Sequence, residues 1–183
     1  MYWKIDAQHT EINFTARHMM ISNVRGRFDR FAGTVEFDEQ NPSASSVDVQ
    51  IEAASINTRE AQRDGHLRSP DFLDAEKYPL LTFKSKRVEV LDASHGRIIG
   101  DLTIRDITRQ VVLETEYSGI AKSPWGSTSA GFTATTAINR KDWNLVWNVA
   151  LETGGWLVGD EIKISIELEI VKVETPETEM VAG

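Results

Sequence analysis

The side chains able to do acid–base, nucleophilic or metal chemistry are few, and their spacing suits none of it. Four histidines, His9, His18, His66 and His95, are scattered along the chain, and cysteine is absent. A thiolate nucleophile or cysteine metal site is therefore excluded. The chain has no H-E-x-x-H pair, nucleophile elbow, phosphate-binding loop or dinucleotide fingerprint. No catalytic residue and no metal ligand is assigned. Asp64, His66 and Ser69 have the residue types of a triad but lie too close in sequence, since triad members come from distant segments. His9, just before a strand, reads as bonding a backbone group, and His95 as a solvated turn residue. His66 belongs to a D-G-H-L turn, and Arg140 with Asp142 reads as an internal ion pair. One cluster stands out: R-H-M-M-I-S-N-V-R-G-R-F-D-R-F gathers Arg17, Arg25, Arg27 and Arg30 around His18. It is either a solvated strand–loop surface or an anion-attracting mouth.

The rest of the chain is acidic. Its 20 Lys+Arg against 28 Asp+Glu give a net charge of −8, which repels phosphate backbones at long range and argues against nucleic acid as a partner. At 183 residues the length suits one domain, expected over 1–173, with the polar 174–183 as a disordered tail. The start M-Y-W-K-I-D runs directly into strand-like alternation without the features of a secretory leader, and no apolar run is long enough to span a bilayer. The expectation is a cytoplasmic protein with no integral membrane segment.

The elements that must position these side chains are strands. In Asp160–Val173, Ile162, Ile164, Ile166, Leu168 and Ile170 share one parity, while Lys163, Ser165, Glu167 and Glu169 take the other. A strand sends alternate side chains to opposite faces, so this segment has one dry and one wet side. Similar alternation places Ile12, Phe14, Ala16 and His18 on one face, then Phe31, Gly33, Val35 and Phe37, then Val47, Val49, Ile51 and Ala53. Further along, Leu81 and Phe83, Ile98 to Ile104, Val111 to Tyr117, and Phe132 to Ile138 repeat it. Val24–Arg27, with Gly26, reads as the connection between the first two of these strands. Between Thr58 and Pro79 the rhythm breaks: Thr58 would cap a short helix ended or bent by Gly65, Ser69–Pro70 would start a second, and Phe72 and Leu73 would anchor it. The fold class is all-β, an antiparallel β-barrel of about eight strands with a short helical insertion over it.

About eight strands is the size at which a closed barrel either packs solid or holds one small ligand. Gly33, Ala53, Gly100, Ala134 and Thr136 stand at inward positions, leaving room for a hollow bore or for large residues opposite them. Alternation does not choose between the two.

Specific motifs do choose. W-K-I-D-A-Q-H-T-E-I-N-F (3–14), R-H-M (17–19), G-R-F-D-R-F-A-G (26–33), R-D-G-H-L-R-S-P-D-F-L-D-A-E-K-Y-P (63–79), T-F-K-S (82–85), G-D-L-T-I-R-D-I-T (100–108) and I-N-R-K-D-W-N (138–144) follow one another. In that order the sequence resembles the YceI-like family of polyisoprenoid-binding proteins, over essentially 2–173. The resemblance implies an extended, lipocalin-like barrel whose interior holds a long isoprenoid lipid, of the polyprenyl phosphate, pyrophosphate or quinone type. No cofactor and no catalysis are expected. Ligand-lining positions are then expected at Ile12, Phe14 and His18; Phe31, Val35 and Phe37; Val49 and Ile51; and Phe72 and Leu73. The remaining positions are Leu81 and Phe83; Leu102 and Ile104; Leu113, Phe132, Ile138 and Trp143. Arg17, Arg25 and Arg27 are the headgroup candidates, since cations suit a phosphate. The alternatives are an enzyme acting on a prenyl or quinone headgroup through His18 or His66, and a solid-barrel interaction module. A homodimer is a further expectation, because barrels with exposed edges pair. Two features depart from the family: many relatives carry a secretion signal, and many have glycine where this chain has Asn144.

Overall fold

The computed structural model describes residues 2–173; the tail expected at 174–183 lies outside the described residues. Eleven strands among these residues form one antiparallel sheet. They are β1 (Tyr2–Ile5), β2 (Glu11–His18), β3 (Ser22–Phe28), β4 (Phe31–Glu36), β5 (Ser46–Glu52), β6 (Ile56–Asn57), β7 (Leu80–Val90), β8 (His95–Ile104), β9 (Ile107–Lys122), β10 (Thr128–Asn139) and β11 (Val158–Val173). The hydrogen-bonded order is β4-β5-β7-β8-β9-β10-β11-β2-β3-β6, with β1 also on β11. β11 is long enough to hold two partners on one edge: β2 along Val158–Glu167 and β1 along Ile170–Val173. The sheet thus curls into a lipocalin-like barrel, and the corner Asp29–Arg30 carries the chain from β3, next to one end of the sheet, to β4 at the other.

The strand count exceeds the expected eight for two reasons. β1 and β6 are too short for alternation to declare them. Val24–Arg27, expected as a connection, instead lies within a full strand, Ser22–Phe28, paired with β2, with Gly26 opposite Phe14. The inward rows are as the alternation required. Ile162, Ile164 and Ile166 face Ala16, Phe14 and Ile12 on one side, and Ile138, Thr136 and Ala134 on the other.

The α-helix of the described residues, α1 (Ala61–Arg68), lies at the barrel end that carries the β10–β11 connection, where its His66 packs against Trp147. Its N-cap is Glu60, whose carboxylate accepts from the Gln62 and Arg63 amides, not Thr58 as expected. Thr58 instead donates both its amide (2.9 Å) and hydroxyl (2.5 Å) to the buried Asp64 carboxylate. Gly65 lies inside the helix and does not end it; Ser69 is the C-cap. No second helix starts at Pro70. The chain turns there through bonds from the Phe72 and Asp74 amides to the Ser69 carbonyl. Asn144 ends the 3₁₀ turn Arg140–Trp143 at φ 58° and ψ 28°, a left-handed conformation that asparagine tolerates and glycine also supplies.

The main core joins Ile51, Leu81, Phe83, Leu102, Leu113, Ile138 and Trp143, and a second cluster joins Trp3, Val35, Ala130 and Ile170 at the β1 end.

Candidate functional site

The barrel is hollow. A cavity of about 990 Å³ runs through it, at the top of the ~300–1,000 Å³ range of small-ligand pockets. The solid-barrel alternative is thereby corrected. The bore stays open because small residues occupy inward positions beside large ones: Ala134 and Thr136 lie in register with Ile166 and Ile164. Its wall is almost wholly aliphatic and aromatic.

Every expected lining position except one stands on this wall: Ile12, Phe14, His18, Phe31, Val35, Phe37, Val49, Ile51, Phe72, Leu73, Leu81, Phe83, Leu102, Ile104, Leu113, Phe132 and Ile138. Trp143 is the exception. It is buried behind the wall, where its indole N–H donates to the Leu102 carbonyl (3.0 Å), so it braces the barrel without facing the bore. Several wall residues were not anticipated. Val24 and Phe28 were hidden by reading β3 as a loop; Ile162, Ile164, Ile166 and Leu168 carried the alternation that revealed the fold. Leu145 and Trp147 come from a stretch with no periodicity.

The headgroup candidates divide. Arg25 and Arg27 alternate with the inward Val24, Gly26 and Phe28, so they project outward into a shallow depression shared with Asn23, Asn57 and Arg59. They do not reach the cavity, and Arg27 is paired with Asp29 (2.7 Å). Arg17 lies at the rim, where its guanidinium donates to Asn23 Oδ1 (3.4 Å) and the Met20 carbonyl (3.3 Å). His18 faces inward at the same end.

α1 adds polar wall there that the sequence did not single out. Arg63 lines the cavity while donating to the Thr58 hydroxyl and carbonyl (both 2.8 Å). His66 bonds Asp71 (2.8 Å) and packs edge-on against Trp147 (4.5 Å between centroids) and Phe72 (5.1 Å). No triad forms: Asp64 is engaged with Thr58, and the Ser69 hydroxyl donates to the His66 carbonyl (2.6 Å).

Arg140 lies in the wall at this end, only 2% exposed. Its expected partner Asp142 is replaced by Asp160 at 3.5 Å. Its guanidinium also donates to the carbonyls of Leu145 (2.5 Å), Trp147 (3.0 Å) and Gly159 (3.0 Å). Burial pulls its pKa below the ordinary value and Asp160 pulls it back. A buried arginine with its fork filled by carbonyls is a clamp on the irregular 144–158 loop, not a free cation for a ligand.

At the opposite end, Trp3, Phe37, Tyr117 and Phe132 pack ring against ring with centroids 5.1 to 5.7 Å apart. Burial raises the Tyr117 pKa and the nearby Glu39 raises it further. Outside the barrel, Asp6 and His9 of the β1–β2 turn and Glu169 of β11 bring possible metal ligands within 4.8 Å of one another. His9 and Asp6 already satisfy each other at 2.9 Å; His9 thus bonds a carboxylate and not the expected backbone group. His95 likewise bonds Asp92 (3.0 Å). No helix among the described residues is long and apolar enough to cross a membrane.

Known proteins share this architecture. A UPF0312 protein of Staphylococcus aureus is 36% identical over 165 residues, covering 90% of this chain and 94% of that protein. The crystal structure of a Campylobacter jejuni YCEI protein superposes with a TM-score of 0.73 at 35% identity, covering 86% of this chain and 90% of that one. A domain from Saccharophagus degradans, described as a polyisoprenoid binding domain implicated in plant cell wall breakdown, shares the fold at a TM-score of 0.66. It is 14% identical and covers 93% of this chain and 98% of that domain. The YceI-like domain model matches residues 3–170, from β1 to Ile170, the first residue of β11 that pairs with it, and the chain therefore belongs to the YceI-like family.

Proposed function

We propose that this protein binds and carries the apolar chain of a long isoprenoid amphiphile in its barrel and does no chemistry on it. The observation that carries the reading is the cavity: about 990 Å³, bounded by alternate residues of nearly every strand, and almost without polar wall. Each buried carbon group of a ligand gains ~0.8 kcal/mol on leaving water, so a few five-carbon units outweigh the losses of ordering and association. Such a wall reads width and length, and a fatty chain of similar bulk competes. The polar end of the ligand lies at the α1 end, where His18, Arg63 and His66 line the wall and Arg17 stands at the rim. The description of the S. degradans domain as polyisoprenoid-binding supports the ligand class.

Solvent extraction of the purified protein followed by mass spectrometry tests this reading. A polyprenyl-type lipid near one per chain is expected. Consistently lipid-free protein that also fails to take up added polyprenyl lipid overturns it. The His66–Asp71 pair favours a second reading, a general base acting on a bound headgroup. An unchanged ligand after incubation with wild-type protein removes it.

A further inference from the structure

We infer that the α1 end of the barrel docks on a lipid bilayer through two apolar tips, the β2–β3 turn and the 144–158 loop, so that lipid enters the cavity directly from the membrane. The inference rests on the carrier reading above. Large apolar side chains are exposed at many places singly, which needs no explanation. Here they converge. Ile21 is 76% exposed, Met20 59% and Trp156 57%, with Met19 and Val149 also exposed.

The two segments are bonded to each other. The Met19 amide donates to the Leu157 carbonyl (2.8 Å), the Leu157 amide to the Val149 carbonyl (2.9 Å), and Trp156 bridges Ala150. The Met20 sulfur lies against Gly155, where any β-carbon would collide with it. The patch is therefore one surface held by main-chain bonds. Arg140 fixes its far side through the Leu145, Trp147 and Gly159 carbonyls.

Three properties identify the occupant as lipid. First, the patch is continuous with the cavity: Leu157 and Val158 of the loop, and Arg17 and His18 beside the turn, are wall residues. A hydrocarbon leaving a bilayer here passes from one apolar surface to another without crossing water. Second, methionine, isoleucine and tryptophan suit an interface that is apolar on one side and wet on the other, methionine by its flexibility and tryptophan by its polar N–H. Third, the charge beside the tips is opposite to that of the whole chain. Arg17, Arg25 and Arg59 have no carboxylate within ion-pair distance among the described residues, in a protein of net charge −8. At physiological salt the long-range repulsion is screened within ~8 Å, and these local cations meet lipid phosphates at contact. Glu152 is the acidic residue of the loop. Arg25 and Arg27, expected to hold a headgroup inside, thus belong to the outer face that would rest on the membrane.

The test uses the full chain and vesicles of phosphatidylcholine with a minority of phosphatidylglycerol, at physiological salt. Wild-type protein is expected to float with the vesicles. Met20→Glu/Ile21→Glu, and separately Trp156→Glu, should lower the floated fraction by about ten-fold, as loss of one or two inserted apolar side chains requires. Leu91→Glu/Trp125→Glu, at the opposite end of the barrel, should float as wild type does. Far-UV circular dichroism confirms the fold of each variant. Uptake of a monomeric fluorescent fatty acid from solution, which needs no membrane, is measured in parallel and should be unchanged in the tip variants. Flotation that is absent in wild type, equal in both tip variants and wild type, or lost in the opposite-end variant overturns the docking surface. Wild-type protein that floats but takes up no fatty acid or polyprenyl lipid overturns the carrier reading instead.

Discussion

The ring of Phe14 lies over Gly26, its cross-strand partner, so closely that a β-carbon at residue 26 would stand 2.7 Å from Phe14 Cε1. The glycine gives the ring a seat on β3, and the seated ring leaves the centre of the bore clear. Phe83 uses Gly100 in the same way, with its Cζ 2.6 Å from where a β-carbon would be. The two pairs show how bulky aromatic residues and a wide cavity coexist in one small barrel.

Gly26→Ala is accordingly expected to displace the Phe14 ring. Overpacking of this kind destabilises by ~1–3 kcal/mol, read as a lower urea midpoint at unchanged slope. Because the ring moves toward the bore, uptake of a long-chain lipid should fall as well. An unaltered midpoint would mean that β3 yields at no cost.

The bore can be plugged from its small-residue side. Thr136 lies between Ile164 and the β9 side of the sheet and faces the cavity. Thr136→Phe should abolish saturable lipid uptake while leaving stability within ~1.5 kcal/mol of wild type, since the added ring fills empty space. Phe83→Asp should also abolish uptake, but with a clear loss of stability from a buried charge. Comparing the two by denaturation and binding separates loss of volume from loss of fold.

Arg140 should not be replaceable by lysine. A single ammonium cannot satisfy the Leu145, Trp147 and Gly159 carbonyls together, and each buried acceptor left unpaired costs ~1–3 kcal/mol. Arg140→Lys is predicted to lower stability and to raise amide exchange specifically across 144–158. Asp142→Asn, outside the clamp, should do neither.

Two turn pairs give opposite pH signatures. Asp92 is held down to about 2 by the Ser94 amide first, then by the His95 side chain and amide. Its folded value lies below the ordinary carboxylate value of 3.8, so the stabilisation is present above that value and is lost as pH falls toward about 2. Asp92→Asn should lower the urea midpoint at neutral pH, with the difference from wild type shrinking in strong acid. His9 is raised by its bond to Asp6. Its contribution is complete below 6.5 and disappears as pH rises through the raised folded value. Asp6→Asn should return the His9 titration, followed by NMR, to the ordinary range.

Much of this was legible in the residues. The Ile162–Ile170 alternation required a strand with one dry face, and inward parity placed Phe14, Phe83 and Leu113 correctly on the wall. What failed were segments in which period two was short or broken. Gly26 and the charges around it made β3 look like a turn, and with that reading the outward parity of Arg25 and Arg27 was lost. Glu60 displaced Thr58 as the helix cap because the Thr58 hydroxyl found a buried carboxylate, Asp64, a contact that local spacing does not rank. Arg140 chose Asp160 over Asp142 because a residue two positions along a 3₁₀ turn points elsewhere, whereas the start of β11 folds back beside it. Alternation could not reveal that the bore is hollow; that depends on how Ala134 and Thr136 meet their neighbours across strands.

The barrel interior has room for one apolar chain. Calorimetric titration of delipidated protein with a solubilised polyprenyl phosphate, at several temperatures and on wild type beside Thr136→Phe, tests it most directly. One saturable site per chain with a negative heat-capacity change, absent in Thr136→Phe, is the predicted result. No saturable binding to wild type, or equal binding to the plugged variant, would mean that the bore is not the lipid site.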